Sequence, residues 1–170
     1  MFPAGFPLKS LQRSPPRSAF DCGHCDVNDW LRTKALQNQE KRLSATKVLL
    51  DREGGIAGFY TLSTGQVDFV DLPSEFARKL PRRALPVAVL AWLGVSKAYQ
   101  GQKLVDLLLA QALRDCFEAG QTFAFIAVIL DCVDDRAKAF YQRWDFAELP
   151  GNPYRLFLSS QTLTTMMTSR

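Results

Sequence analysis

Long apolar runs are missing from this sequence. None of its 170 residues lies in an uninterrupted apolar run near the roughly 20 residues that a helix needs to cross a bilayer. Residues 1–18 contain four prolines but lack the continuous apolar core of a secretory signal peptide. Internal repeats and low-complexity tracts are also missing. We therefore expect a cytoplasmic protein without membrane association, folded as one domain around a single core.

Ligands for a metal ion are scarce as well. Cys22 and Cys25 have the Cys-x-x-Cys spacing that occurs in redox and metal sites. A zinc site of this type needs a second pair of ligands, and none follows at the required spacing. The pair also does not follow a predicted strand, and Cys116 and Cys132 are isolated in apolar segments. We expect reduced cysteines with structural roles and no metal site.

The charge balance is modestly basic. The chain is 47% hydrophobic and 22% charged, with a formal net charge of +4 and a pI near 9.0. Such an excess suits a polyanionic ligand, but on composition alone an ordinary solvated, charge-rich surface is the favoured explanation. The densest basic cluster precedes a long apolar segment and is formed by Arg78, Lys79, Arg82 and Arg83. It is either a solvated loop flanked by prolines or a polyanion-binding patch.

A strand, a short polar turn and a helix form the most informative stretch. Residues 85–95 are apolar and branched, which predicts a strand buried on both faces. Leu104, Leu108 and Cys116 lie on one face of a following helix, because they recur at helical spacing. The first amides of that helix, at about residues 100–104, have no intrahelical acceptor and point beyond the strand end. This arrangement predicts an anion site, most often one for phosphate.

The rest of the chain alternates predicted strands and helices, which is typical of an α/β fold. Asp26 or Asn28 begins a helix with Trp30 on its apolar face, and a Gly-Gly turn joins two strands into a hairpin. The other predicted elements are strands over 46–51, 55–64, 85–95, 122–130 and 154–158, and helices over 74–80 and 136–144. We expect a flexible leader over residues 1–18, one domain over 19–158 and a polar tail without assigned structure over 159–170.

Three segments together resemble one protein family. They are the strand end Leu93-Gly94-Val95, the turn YQGQKLV over 99–105 and the segment DDRAKAFYQRWDF over 134–146. Their order and spacing are similar to those of the GNAT superfamily of acetyl-CoA-dependent N-acetyltransferases. The runs FDCG at 20–23 and NDWL at 28–31 narrow the resemblance to the GNAT toxins of bacterial toxin–antitoxin systems. It covers about residues 18–158 and implies a mixed central sheet flanked by helices.

The resemblance implies transfer of acetyl from acetyl-CoA to a primary amine, and in the toxin branch to the α-amino group of an aminoacyl-tRNA. It also implies a ribbon-helix-helix antitoxin as partner and leaves a homodimer open. Tyr141 is implied as the acid that protonates the departing CoA thiolate, with a packing aromatic as the alternative. The basic cluster supplies candidates for tRNA contact. The residues implied for acetyl-CoA are Leu93, Gly94, Val95, Gln100, Gly101, Gln102, Lys103, Leu104 and Val105.

Three positions depart from the family pattern. The family turn is Gln/Arg-x-x-Gly-x-Gly/Ala, but the two small positions are Lys103 and Val105 here. Asp145 stands where the family has a glycine before Phe146. Small residues allow the backbone to approach the pyrophosphate closely. We expect weakened but retained binding of acetyl-CoA, and the alternative is a GNAT-fold protein that acts as a non-catalytic binding or regulatory partner.

Overall fold

The computed structural model describes residues 2–169, and its central feature is a seven-stranded mixed sheet flanked by helices. The strand order is β1-β2-β3-β4-β5-β7-β6. The strands are β1 Leu8–Ser10, β2 Ala45–Leu50, β3 Ile56–Asp68, β4 Ala84–Val95, β5 Ala127–Asp131, β6 Ala147–Leu149 and β7 Asn152–Ser159. The helices are α1 Cys25–Asp29, α2 Ala35–Glu40, α3 Ser74–Ala77, α4 Leu104–Gly120, α5 Asp135–Gln142 and α6 Ser160–Thr168. A π-helical turn, Trp30–Lys34, joins α1 to α2, and short 3₁₀ turns cover Phe69–Asp71 and Lys97–Tyr99.

The α/β fold predicted from the sequence is confirmed, and so is the hairpin. Strands β2 and β3 pair antiparallel, with Val48 opposite Phe59. Asp51 Oδ1 accepts hydrogen bonds from the amides of Glu53 and Gly55 at 2.9 Å each, which closes the turn between the two strands. Gly54 has a φ of +84°, in the left-handed region that glycine occupies without strain.

The predicted leader is wrong for the segment that contains β1. Leu8 pairs with Leu49 of β2, so that β1 adds an edge strand to the sheet. Leu11 is 2% exposed and belongs to the core. Prolines on both sides suggested an unfolded leader, but a three-residue edge strand needs only one neighbour and one buried apolar anchor. Met1 lies outside the described residues.

The predicted tail is also corrected, because residues 160–168 form helix α6. Ser159 caps this helix, since its hydroxyl accepts a hydrogen bond from the amide of Thr162 at 3.1 Å. Leu163 on the helix is 1% exposed. The polar composition of the segment concealed the single buried leucine that anchors it. Arg170 lies outside the described residues.

Strand β5 begins later than expected. It starts at Ala127, whereas the sequence predicted a strand from residue 122. Phe123 is 79% exposed and lies in the connection after α4. The apolar run from Phe123 therefore overestimates the strand, because a run of apolar residues does not show which of them pair.

The chain divides into two compact units, each with its own apolar cluster. One unit comprises the chain up to Ser63 with Leu90–Ala112, and the other comprises Thr64–Val89 with the chain from Leu113 onward. The cluster of the first unit includes Leu11, Phe20, Val27, Leu31 and Phe59. The cluster of the second unit includes Val67, Leu72, Leu85, Ile129 and Phe157. No helix among residues 2–169 is long and apolar enough to span a bilayer.

Candidate functional site

The last six residues of β4 extend past its pairing with β5. Among the described residues, the parallel register runs from Val87 opposite Ala127 to Val89 opposite Ile129. Strand β4 continues to Val95, so residues 90–95 carry backbone donors and acceptors along an edge that β5 does not pair. Such an edge can accept an extended amide-containing ligand as an added strand. Leu93 is half-buried, while Gly94 and Val95 are buried.

Close packing explains why residue 94 is a glycine. A Cβ at Gly94 would lie 3.0 Å from Val27 Cγ1 and 3.2 Å from Phe59 Cε1. Both neighbours belong to the apolar cluster of the first unit. Any larger residue would therefore displace the end of β4 from the helix that begins at Cys25.

The turn after β4 is held by backbone and side-chain hydrogen bonds. The amide of Ser96 donates to Ala57 O at 2.8 Å, and the amide of Lys97 donates to Asp21 O at 2.9 Å. The Gln100 Nε2 group donates to both Cys22 O at 2.8 Å and Val95 O at 3.0 Å. One amide side chain thus joins the segment before α1, the end of β4 and the turn that leads into α4.

The segment at 20–28 is closed by an aspartate and an asparagine. Asp21 Oδ1 accepts hydrogen bonds from the amide of Gly23 at 2.9 Å and from Asn28 Nδ2 at 3.0 Å. Asn28 Oδ1 accepts a bond from the amide of Cys22 at 2.9 Å. The amide of Gly23, followed by Asn28, lowers the pKa of Asp21. The sequence predicted that Asp26 or Asn28 begins this helix. Asn28 instead lies inside α1, and its side chain closes the loop before the helix by its bond to the Cys22 amide.

Two residues of the turn have a left-handed backbone. Gly101 has a φ of +81° and Lys103 has a φ of +63°. The amide of Leu107 donates to Lys103 O at 3.3 Å, which is the first bond of α4. The amides of Leu104 and Val105 therefore precede the first intrahelical bond and point out of the helix N-terminus. Gly101, Gln102 and Lys103 are exposed, Leu104 is buried and Val105 is half-buried.

Tyr141 lies on α5 between two aromatic neighbours. Its ring centroid is 5.2 Å from that of Phe140 and 5.7 Å from that of Phe146. Burial raises the pKa of the Tyr141 phenol above its ordinary value, and the nearby Cys132 adds to the rise. Helix α5 is capped by Asp134, whose Oδ1 accepts from the amide of Ala137 at 2.8 Å. The phenol is thus held in its neutral, proton-donating form.

The turn after Tyr141 is formed by a non-glycine residue in a glycine-type conformation. Asp145 has a φ of +68°. The amides of Trp144 and Phe146 both donate to Tyr141 O, at 2.9 and 3.3 Å. Asp145 thus replaces the family glycine and keeps the tight end of the helix that places Phe146 beside Tyr141.

All four residues of the basic cluster are exposed. Arg78, Lys79, Arg82 and Arg83 lie between the end of α3 and the start of β4 in the second unit. The Arg82 guanidinium lies over the Phe69 ring at 5.2 Å from its centroid, and the amide of Phe69 donates to Arg83 O at 3.2 Å. The cluster can therefore meet a polyanion, but its exposure is equally that of a solvated loop.

The cysteines are free thiols in different surroundings. Cys22 and Cys116 are buried, Cys132 is half-buried and Cys25 is exposed. Burial raises the pKa of Cys116 to about 12 and that of Cys132 to about 11. No group of three or more metal-ligating side chains exists among the described residues. The Cys22 thiol packs in the apolar cluster beside Phe20.

The implied acetyl-CoA residues lie together in the first unit, from the end of β4 to the first turn of α4. Tyr141 and the basic cluster belong to the second unit. Sequence reasoning missed two features of the first unit. The Tyr99 hydroxyl donates to Asp51 Oδ2 at 2.9 Å, and Trp30 stacks on Trp92. Neither pair has a signature at short sequence spacing, because the partners are 48 and 62 residues apart.

Comparison with known proteins decides the family. The model described as acetyltransferase (GNAT) family matches residues 9–146. The chain belongs to the GNAT acetyltransferase family. It is therefore an N-acetyltransferase with acetyl-CoA as its co-substrate, as the resemblance implied. The exposed turn, the amides of the first helical turn and the unpaired strand edge form a donor set that fits an elongated ligand with phosphates at one end and amides along its length.

The proteins to which this chain is similar include toxins. A tRNA-acetylating toxin of Mycobacterium tuberculosis (strain ATCC 25618 / H37Rv) is 33% identical over 141 residues, which are 83% of this chain and 84% of the relative. A structure of AtaT complexed with acetyl-methionyl-tRNAfMet is similar with a TM-score of 0.86 at 22% identity, over 96% of this chain and 99% of that one. A mutant AtaT toxin bound to the C-terminus of the antitoxin AtaR and acetyl-CoA has a TM-score of 0.82 at 20% identity, over 97% and 99%. The two structures show the shared fold.

Proposed function

We propose that this N-acetyltransferase modifies the α-amino group of an aminoacyl-tRNA and thereby acts as a translation-inhibiting toxin in the cytoplasm. The observation that carries the proposal is the unpaired end of β4, which runs directly into an exposed turn and the N-terminus of α4. The choice of acceptor is supported by the 33% identical relative named as a tRNA-acetylating toxin.

The turn and the first turn of α4 bind the pyrophosphate of acetyl-CoA in this proposal. The amides at residues 101–105 donate to the phosphate oxygens, since the Gln100 amide already donates to Lys97 O at 3.4 Å, and the exposed Lys103 adds a positive charge. The left-handed φ of Lys103 keeps the backbone in the shape that a glycine would give it. This geometry favours retained binding over the non-catalytic alternative, because Lys103 already adopts a conformation that glycine favours.

The strand end positions the thioester. The backbone of Leu93, Gly94 and Val95 pairs with the amides of the pantetheine arm, and one N–H in this segment polarises the thioester carbonyl. The unprotonated amine attacks the carbonyl carbon, forming a C–N bond and a tetrahedral oxyanion. An α-amino group has a pKa of about 7.7–8.0, so a large fraction is neutral near pH 7.5 without a strong base.

Tyr141 completes the reaction in this proposal. As the tetrahedral intermediate collapses and the C–S bond breaks, the phenol donates its proton to the departing thiolate. The ammonium proton of the attacking nitrogen passes to water. The phenol is partly buried and its pKa is raised, so it remains protonated at neutral pH and can act as the acid.

The polyanionic acceptor and the partner follow from the same proposal. The phosphates of the tRNA are contacted by the basic cluster, Arg78, Lys79, Arg82 and Arg83. The end of the tRNA that carries the amino acid enters the acetyl-transfer site. A ribbon-helix-helix antitoxin binds and inhibits the enzyme. The active form can form a homodimer.

Transfer of labelled acetyl from acetyl-CoA to charged tRNA tests the proposal. The wild type should label aminoacyl-tRNA, and Tyr141→Phe should lower kcat by about 100-fold or more while acetyl-CoA still raises the melting temperature. Phe140→Leu, which alters the neighbouring ring but keeps the phenol, is the matched control and should retain most activity. Equal rates for Tyr141→Phe and wild type would contradict the assigned role of Tyr141.

A further inference from the structure

Two tryptophans form a face-to-face stack beside the unpaired end of β4. The rings of Trp30 and Trp92 have centroids 5.3 Å apart and an interplanar angle of 13°. Both side chains are only partly buried, and both pack on the apolar cluster of the first unit. A stacked aromatic pair that is only partly buried is a rigid apolar surface and not a fully covered core element.

The stack is fixed by a hydrogen-bond chain. Trp30 Nε1 donates to Thr61 Oγ1 at 3.1 Å. The Thr61 hydroxyl is in turn 2.7 Å from the hydroxyl of Thr46, and both threonines are buried. The one polar group of the Trp30 indole is thus satisfied within the protein. The part of the Trp30 side chain that remains for contact with a ligand is therefore its apolar ring surface.

Trp30 begins the π-helical turn Trp30–Lys34. The amide of Ala35 donates to Trp30 O, five residues back, in place of the usual four. This wider turn shifts the side chains that follow it relative to an unbroken α-helix. Single π turns inside helices occur frequently at functional sites, because they cost stability that function must justify.

Trp92 lies directly before the backbone that is proposed to hold the thioester. It precedes Leu93 on β4, and strand residues advance by about 3.3 Å each. An amine that attacks a thioester held along residues 93–95 is therefore within roughly 10 Å of the Trp92 backbone. In an aminoacyl group the side chain is attached to the carbon that bears this amine, so the side chain can reach the stack.

We propose that Trp30 and Trp92 receive the side chain of the amino acid carried by the tRNA and select large apolar or aromatic residues. This inference rests on the proposed function. The other partly buried side chains on the same cluster, Leu36 and Leu50, are also apolar. A charged aminoacyl side chain placed there would lose its hydration without gaining a partner, whereas an apolar one gains contact area.

The test measures kcat/KM for tRNAs charged with methionine, phenylalanine, glycine, aspartate and lysine. The wild type should prefer the methionyl and phenylalanyl forms. Trp92→Ala should lower kcat/KM for these two by about 10-fold or more and for the glycyl form by less than about 3-fold. Trp30→Phe keeps an aromatic ring and should retain the order of preference. The KM for acetyl-CoA should be unchanged in both variants.

Leu11→Ala is the matched control, because Leu11 is a fully buried member of the same cluster and its truncation removes apolar volume from the core. It should lower stability but keep the ratios between the five charged tRNAs. A fall in kcat/KM by the same factor for every amino acid in Trp92→Ala would overturn the inference and leave the proposed function standing. A wild type that prefers glycyl or charged aminoacyl groups would also overturn it. Failure of the wild type to acetylate any charged tRNA would refute the proposed function itself.

Discussion

The hydroxyl of Tyr99 donates a hydrogen bond of 2.9 Å to Asp51 Oδ2, which joins the β2–β3 turn to the segment before α4. The other oxygen of Asp51 closes its own turn through the amides of Glu53 and Gly55. The bond to Asp51 raises the pKa of Tyr99. Tyr99 also packs edge-on against Phe6, with ring centroids 5.4 Å apart. A residue with no contact to the reacting atoms thus positions the loop that is proposed to bind acetyl-CoA.

Tyr99→Phe should therefore raise the KM for acetyl-CoA by about 5- to 10-fold and leave kcat nearly unchanged, since a hydrogen bond to a charged group contributes about 1.5 kcal/mol. The ring and its packing on Phe6 are kept. Tyr154→Phe is the control, because Tyr154 also donates to an aspartate, Asp135, and both residues belong to the second unit. An unchanged KM combined with a large fall in kcat would show that Tyr99 does not act by positioning the loop.

Lys103→Gly and Asp145→Gly should each stabilise the protein. A non-glycine residue at positive φ costs about 1–2 kcal/mol, and glycine adds a backbone entropy cost of about 0.5–1 kcal/mol, so the net gain is about 0.5–1 kcal/mol. Gln102→Gly, beside Lys103 but without a positive φ, should destabilise. Urea unfolding measures all three. A loss of stability in both Lys103→Gly and Asp145→Gly would contradict the strain assigned to these positions.

The pH dependence of kcat should show a rising limb without a falling one in the range below pH 10. The rate rises as the acceptor amine loses its proton near pH 7.7–8.0. Burial raises the pKa of Tyr141, so the acid form persists to higher pH than that of a free phenol. Single-turnover rates measured between pH 6 and pH 10 test this. A falling limb centred below pH 9 that disappears in Tyr141→Phe would contradict the raised pKa.

Thiol reactivity should separate Cys25 from the other cysteines. Cys25 is exposed, whereas Cys22 and Cys116 are buried, and burial raises the pKa of Cys22, Cys116 and Cys132. At pH 8 Cys25 should react quickly with a disulfide reagent, Cys132 slowly because of its raised pKa, and Cys22 and Cys116 only after unfolding. Cys25→Ser should abolish the fast phase. A fast phase that persists in this variant would show that one of the other thiols is accessible.

Charge reversal in the basic cluster should weaken tRNA binding and reduce its salt dependence. Arg82→Glu with Arg83→Glu removes two proposed phosphate contacts, so the slope of log affinity against log salt should fall by about 2. The KM for acetyl-CoA should not change. Arg136→Glu, at an exposed position outside the cluster, is the control. An unchanged tRNA affinity and salt slope would identify the cluster as a solvated loop.

Much of the fold could be predicted from local signals. The hairpin, β4, α4 and α5 have clear periodicity or turn residues, and the order of these elements with the turn motif identified the family. The leader and the tail were misjudged, because Leu11 and Leu163 are single buried residues in polar or proline-rich surroundings. A lone apolar residue has no periodicity, and only tertiary contacts show that it is buried.

The candidate site could be predicted where it depends on backbone. The strand end and the helix N-terminus follow from the pattern, because their donors belong to the main chain. The contacts that position them, Tyr99 with Asp51 and Gln100 with Cys22, join residues far apart in the chain. The left-handed conformation of Lys103 and Asp145 was equally hidden, since neither residue type requires it.

Transfer of acetyl to the α-amino group of aminoacyl-tRNA is tested by a single labelling experiment. The wild type is incubated with labelled acetyl-CoA and either charged or deacylated tRNA, and the tRNA is then treated with mild base to release its amino acid. Label is expected only in the charged sample, where it is recovered as N-acetyl amino acid. Label that stays with the tRNA after base treatment, equal labelling of both samples or no labelling of charged tRNA would contradict it.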